Sequence, residues 1–573
     1  MSGARQLPLV ETQKPMIRAC VQSEYGEVFT RRWVVDLMLD LVGYVPEADL
    51  GAKVIVEPSC GRGAFLLPIV ERLAESCASH GRRLSELEDA IAGFDLLDHN
   101  AEIARKAVVA KLVDLGETLE NAERLAQRWV VTSDFLLSEE PMQPADFVVG
   151  NPPYVRLEDV PKEVNNAYRS MWPTMRGRAD IYVGFFEKGL SLLGPEGRLA
   201  YICADRWMRN QYGAHLRRLV SSRFSVDSVM VMHDVDAFEE EVSAYPAITI
   251  LRNGVQGPVR VVDANAAFDQ REASLVLDWL RNPQHALSSS RGFEAGELTR
   301  WFEGPALWPA GSPKTLELLA DLESQFAPLE DSRTGTRVGI GVATGCDEVY
   351  IRAEAEGVEA DRLLPLLTAG DIATGRPDWS GKYLINPWGE NGLVDLSGYP
   401  GLAGHFAQNS KQLRSRHVAQ KQPRAWYRTI DRVDPELIDR PKLLLPDIKA
   451  LSHPVLDPGG FYPHHNLYYV VSDKWDLEVL GGLLLSDVAN LFVGAYCVKM
   501  RGGTFRFQAQ YLRKVRVPEP DSISPKLQQR LRDAFRQRDR SAATEAAVEA
   551  YGLNRGADHL GVPSARCLQS SRN

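Results

Sequence analysis

Asn151-Pro152-Pro153-Tyr154, directly behind the apolar run 146–150, carries the groups needed to hold a planar ring that bears an amino nitrogen. The Asn151 side-chain carbonyl accepts a hydrogen bond from an exocyclic amino group. The two prolines fix φ, remove backbone donors and leave their carbonyls as acceptors. Tyr154 offers a face on which a base stacks, worth about 1–3 kcal/mol in nucleic-acid sites. An Asn-Pro-Pro tripeptide is also ordinary turn chemistry after a strand, so its weight depends on what surrounds it.

Residues 54–65 read as a buried strand, a tight turn at Gly61 and Gly63, and the start of an amphipathic helix running to about Cys77. The glycines allow close backbone approach to a ligand, and the helix start offers free N–H groups. The spacing is not G-x-G-x-x-G, and Glu57 stands before the turn, with Pro58 next to it. An acid there suits a ligand with a positive end or hydroxyls better than a pyrophosphate. The next strand, 90–94, ends in Asp95, a position suited to ribose hydroxyls. Strand 129–132 ends in Ser133-Asp134-Phe135, an acid and a ring able to bracket an adenine. Each acid alone is more often a helix N-cap or a solvated strand end. Their recurrence along one edge, at βα spacing, is hard to obtain from packing needs.

With these residues together, the chain resembles the S-adenosylmethionine-dependent amino-methyltransferases of DNA, and within them the adenine-N6 enzymes of restriction–modification systems. Residues 57–65 resemble the family's cofactor loop, Asp95 its ribose-binding acid, Asp134-Phe135 its adenine-side motif and Asn151-Pro-Pro-Tyr154 its catalytic tetrapeptide. Phe29-Thr30 is similar to the segment that closes over the methionine end of the cofactor, and Phe238 to the second aromatic of the base pocket. The order of parts matches the gamma group. The resemblance implies S-adenosyl-L-methionine as cofactor, double-stranded DNA as partner, and a separately encoded restriction endonuclease or defence component as associate. It implies catalysis by Asn151 and the Pro152 carbonyl, with Tyr154 and Phe238 stacking a flipped adenine. Asn at position 151 favours adenine over cytosine. Methylation of cytosine N4, RNA or a protein glutamine on the same fold remains the alternative.

These residues must be carried by a fold that lines up strand ends. Strand and helix signals alternate from Lys53 to about Leu251, so the expected fold is α/β: a Rossmann-like, seven-stranded sheet with a C-terminal mixed α+β recognition domain. The expected organisation is an N-terminal extension (1–28), a catalytic domain (29–254), a connector with some helix (255–330), a specificity domain (331–520), and a terminal helix and tail (521–573). The specificity domain opens on Gly341-Val-Ala-Thr344-Gly345, and one amphipathic helix is expected over 529–552.

At 573 residues and 44% hydrophobic content the chain suits two or three globular domains. No apolar stretch is long enough to span a bilayer, so no membrane is expected. Seven scattered cysteines without Cys-x-x-Cys spacing read as reduced thiols in a cytoplasm. His464-His465 could pass for part of a metal cluster, but no third ligand is suitably spaced in sequence, so no metal is expected. The net charge of −10 argues against a protein that coats nucleic acid nonspecifically, yet cationic residues cluster locally. One cluster, containing Lys421, Arg424 and Arg428, is interleaved with Trp426 and Tyr427; another contains Lys499, Arg501 and Arg506. Both are expected to touch DNA, against the plainer reading of a solvated face.

Overall fold

The computed structural model describes residues 28–138, 144–240, 245–281, 287–354, 356–500 and 504–553. The chain divides into two compact units, Met1–Lys314 and Thr315–Asn573.

The first unit is an alternating α/β chain: α1 (Arg32–Val42), β1 (Ile55–Glu57), α2 (Leu66–His80), β2 (Ile91–Asp95), α3 (Asp98–Asp114), α4 (Leu119–Trp129), β3 (Val130–Thr132), β4 (Ala145–Gly150), α5 (Lys162–Met171), α6 (Tyr182–Leu192), β5 (Leu193–Ala204), α7 (Ala214–Arg223), β6 (Ser225–Val231) and β7 (Pro246–Arg252). The central strands are apolar on both faces, as β1 and β4 show, because helices cover both sides of a parallel sheet. Strand order begins β3-β2-β1-β4-β5-β7-β6. The first five strands are parallel, and β7 runs antiparallel to both its neighbours. Chain order reverses between β1 and β4, where Ile55 faces Phe147 and Val56 faces Val148. Open α/β sheets bind ligands outside the carboxyl ends of strands at such a reversal.

The sheet holds ten strands, not seven, because much of the stretch read as a connector belongs to it. β8 (Val259–Ala264) pairs parallel with β6, and β10 (Phe293–Leu298) and β9 (Leu287–Ser289) follow antiparallel. α8 (Gln270–Arg281) buries Val276 and Trp279 in the same core. The charged residues that suggested a linker alternate with buried ones, as in the Val259–Ala264 pattern, which is the signature of a half-exposed strand.

Just beyond β5, Asp205 is buried and accepts two hydrogen bonds from Arg209 Nη2, at 2.6 Å to each oxygen, while His233 Nε2 lies 2.7 Å from Oδ2. Burial opposes ionisation of Asp205, but the charges of Arg209 and His233 prevail and hold its carboxyl well below the usual range. Asp205→Ala would strand a buried guanidinium, and we expect unfolding in urea to show a loss of about 3–5 kcal/mol.

The second unit is richer in short strands. Arg337–Ile340, Leu467–Val471, Lys442–Pro446 and Val455–Asp457 form one antiparallel sheet; Ile351–Arg352, Tyr383–Ile385, Leu363–Leu367 and Tyr462–Pro463 form another. The expected terminal helix is two helices, Pro525–Gln537 and Arg540–Ala550. Arg538 breaks them in the left-handed region at φ 58°, and the Asp539 side chain caps the second by accepting from Ala542 N–H. They pack on Leu477–Leu485, whose Gly482 lies so close to Leu531 that a Cβ would fall 2.5 Å from its carbonyl oxygen. Among the described residues no single helix is long and apolar enough to cross a membrane. The apolar pair Leu477–Leu485 and Asp487–Tyr496 bends by 62° and is buried.

Candidate active site

A cleft of about 990 Å³, its open mouth included, lies at the carboxyl ends of β1, β2, β3 and β4. Of the residues singled out from sequence, Phe29, Thr30, Glu57, Pro58, Gly61, Asp95, Asp134, Phe135 and Asn151 line it. Gly63, Pro152 and Tyr154 belong to the same loops but do not line it, and Phe238 lies on a separate segment between β6 and β7.

The glycine turn after β1 needs its glycines for backbone reasons. Gly61 and Gly63 adopt φ of 54° and 99°, where an L side chain costs about 1–2 kcal/mol. Asp95 fastens this turn: one carboxylate oxygen accepts from Gly61 N–H at 2.9 Å, the other from Leu97 N–H at 2.8 Å. Glu57, 1% exposed, ends β1 beside it. Its Oε2 is buried with no hydrogen-bond partner among the described residues. Burial first, then the nearby Asp95 charge, push the Glu57 carboxyl well above its ordinary range.

After β3, Asp134 turns its carboxylate inward, accepting from Leu136 N–H at 2.9 Å and from the Tyr168 hydroxyl at 2.7 Å. Burial raises its pKa despite these bonds. Phe135 is wedged between Phe94 and Phe185, with centroids 5.5 and 5.3 Å away. Lys188 supports it from beneath, 4.8 Å from the ring centroid and bonded to the Phe135 and Ser138 carbonyls; burial depresses that ammonium to about 8. Tyr168 and Lys188 escape sequence reading. They lie on α5 and α6, where an apolar or amphipathic pattern carries no sign of which turn meets the cleft.

The tetrapeptide after β4 is held from two sides. The Ser59 hydroxyl donates to the Asn151 carbonyl at 3.0 Å, bracing one loop against the other. Asn151 Nδ2 donates to the Val28 carbonyl at 2.9 Å and lies 3.2 Å from the Thr30 hydroxyl. A backbone carbonyl only accepts, which fixes the amide orientation. Asn151 Oδ1 therefore faces the other way, buried and without a partner among the described residues. Thr30 is positioned by a bridge to Phe238, flanked by Arg31 N–H to the Ala237 carbonyl and Glu239 N–H to the Phe29 carbonyl. That pairing brings Phe238 against Tyr154, with rings edge to face and centroids 6.5 Å apart.

In the second unit Lys421 and Arg424 are exposed, whereas Arg428 lies half-buried over the Trp388 ring, 5.3 Å from its centroid. Arg506 is exposed but shares its charge with Asp447, 3.3 Å away. The Lys499 side chain and Arg501 lie outside the described residues.

A sheet reversing at β1 and β4, with acid- and glycine-bearing loops around that point, defines a Rossmann-like class I methyltransferase fold. The chain belongs to the type II methyltransferases of restriction–modification systems. It is 42% identical to the type II methyltransferase M.XhoI of Xanthomonas vasicola over 93% of this chain and 98% of that one. It is 44% identical to M.PaeR7I of Pseudomonas aeruginosa, over 92% of each. The family described as Eco57I restriction-modification methylase matches residues 90–238. A solved structure of the type IIL restriction-modification enzyme MmeI in complex with DNA shares the fold, with a TM-score of 0.58 at 11% identity, over 96% of this chain and 76% of that one.

Proposed function

We propose that this protein transfers a methyl group from S-adenosyl-L-methionine to the N6 amino group of an adenine swung out of double-stranded DNA, as the modification half of a restriction–modification system. The observation that carries this reading is the unpaired Asn151 Oδ1, turned away from the Val28 and Thr30 tether. The residues present fit the cofactor. Glu57 Oε2 is a buried oxygen lacking a donor among the described residues, the Asp95 carboxylate lines the cleft where ribose hydroxyls would lie, and Phe135 lies in an aromatic wall beside Asp134. Bound there, the sulfonium supplies an activated methyl group.

The amino nitrogen of adenine is a poor nucleophile because its lone pair is delocalised into the ring. Asn151 Oδ1 and the Pro152 carbonyl accept its two hydrogens, drawing the nitrogen toward tetrahedral geometry and orienting its lone pair. The effect is electrostatic and orientational, and needs no strong base or covalent intermediate. Tyr154 and Phe238 replace the stacking the base loses on leaving the helix. The second unit, with Lys421, Arg424, Arg428, Lys499, Arg501 and Arg506, supplies sequence recognition and phosphate contacts.

Purified protein, labelled S-adenosylmethionine and plasmid DNA, followed by modified-base sequencing, test the reading. N6-methyladenine confined to one short motif is expected. N4-methylcytosine, or label entering only RNA or protein, would overturn the acceptor. We also expect Tyr154→Ala to weaken binding to a duplex with an unpaired target base by about 1–3 kcal/mol. Anisotropy with a duplex lacking the target serves as control: an equal loss on both would refute a stacking role.

A further inference from the structure

The pair His464-His465 stays outside the proposed chemistry, yet the structure supplies the third ligand that sequence spacing did not. Asp347, 117 residues upstream of His464, is brought to it by the Gly341–Gly345 turn. That turn lies flat on the strand: Val342 N–H donates to the Pro463 carbonyl at 2.9 Å and His465 N–H to the Val342 carbonyl at 3.1 Å. A Cβ on Gly341 would fall 2.2 Å from the His464 carbonyl oxygen, so only glycine permits the approach.

Consecutive residues of an extended strand face opposite ways. Here a turn interrupts the strand at His465, and the two imidazole centroids lie 4.0 Å apart. One donor atom from each of Asp347, His464 and His465 falls within 4.8 Å of the others. His464 Nε2 lies 3.1 Å from Asp347 Oδ2. Two ligands on one tetrahedral ion, each with a bond of about 2.0–2.1 Å, sit about 3.3 Å apart. His465 and Asp347 are exposed enough to close the remaining gap by rotation. His464 is 7% exposed, and its Nδ1 has no hydrogen-bond partner among the described residues.

We propose that Asp347, His464 and His465 hold a divalent transition ion of the zinc kind, with solvent completing the coordination. The geometry is that of three protein ligands and an open position, and two imidazoles with one carboxylate select zinc, cobalt or nickel over magnesium or calcium. The ion pins the Gly341–Gly345 turn to the strand bearing His464 and couples its binding to the stability of the second unit.

The test uses the full-length protein, stripped with a chelator and titrated with zinc against a chromophoric competitor, with magnesium in parallel. Cobalt substitution is read by visible absorption, and thermal unfolding is followed with and without zinc. One equivalent of zinc, a raised unfolding temperature and a cobalt spectrum without a thiolate charge-transfer band are expected. Asp347→Asn and His465→Ala, both at exposed positions, should each weaken zinc by about tenfold or more. Absence of saturable zinc binding would overturn the proposal and leave a simple histidine–aspartate pair. So would undiminished binding in either variant, or a thiolate band implicating the neighbouring Cys346.

Discussion

Asn151→Ala is expected to lower methyl transfer by about 10²–10³-fold, the loss associated with one preorganised partner of a developing charge. Cofactor binding measured by calorimetry should survive in weakened form, because Glu57, Asp95 and the glycine turn are untouched while the tether to the closing segment is lost. The amide does two jobs in this structure, and they are separable. Its oxygen is the unpaired acceptor, and its nitrogen tethers the segment bearing Val28 and Thr30. Thr30→Ala removes the second contact of the tether but leaves the Val28 carbonyl in place, so its effect on turnover should be clearly smaller. Asn151→Asp keeps an acceptor but sets a carboxylate oxygen against the Val28 carbonyl, where the structure has a 2.9 Å hydrogen bond. It should therefore loosen the closing segment and fall between wild type and alanine in single-turnover rate. Near-normal turnover of Asn151→Ala would remove the amino-group acceptor from its assigned role.

The legible part of this fold was the part in which chemistry and strand ends coincide. Glu57, Asp95, Asp134 and Asn151 each close or follow a strand, and one cleft gathers them. Each was visible because a polar residue at the end of an apolar run has few packing reasons to be there. Ten strands instead of seven were not legible, because β8 and β10 alternate charged and buried residues in short runs that also suit a linker. The second wall of the cleft was hidden for another reason. Tyr168 reaches Asp134, and Lys188 underlies Phe135, from helices whose polar residues would serve equally on a solvated face. Asp347 and His464 illustrate the same limit at long range, since a turn pressed onto a strand leaves no trace in spacing.

Glu57 should make cofactor binding depend on pH and set it against the stability of the free protein. Burial and the Asp95 charge push its carboxyl well above the ordinary range, so the free cleft favours the protonated form over pH values where an exposed glutamate is ionised. A ligand with a positive end favours the ionised form. Binding must then release a proton, and affinity rises with pH until the carboxyl ionises unaided. Calorimetry in two buffers of different ionisation enthalpy measures that proton directly, and a buffer-independent enthalpy would refute the coupling. Glu57→Gln keeps the shape and loses the charge. It should abolish the released proton and weaken the cofactor by about tenfold or more, the scale of a charge-assisted hydrogen bond. Stability moves the opposite way. A carboxyl whose folded pKa exceeds its unfolded value of about 4.3 stabilises the fold below that value and loses the contribution as pH rises. The cofactor-free Glu57→Gln protein should therefore match wild type in thermal unfolding at about pH 4 and exceed it at about pH 8. A wild-type glutamate that costs the empty fold stability, and recovers it only with a cation bound, is what a binding residue predicts and a packing residue does not.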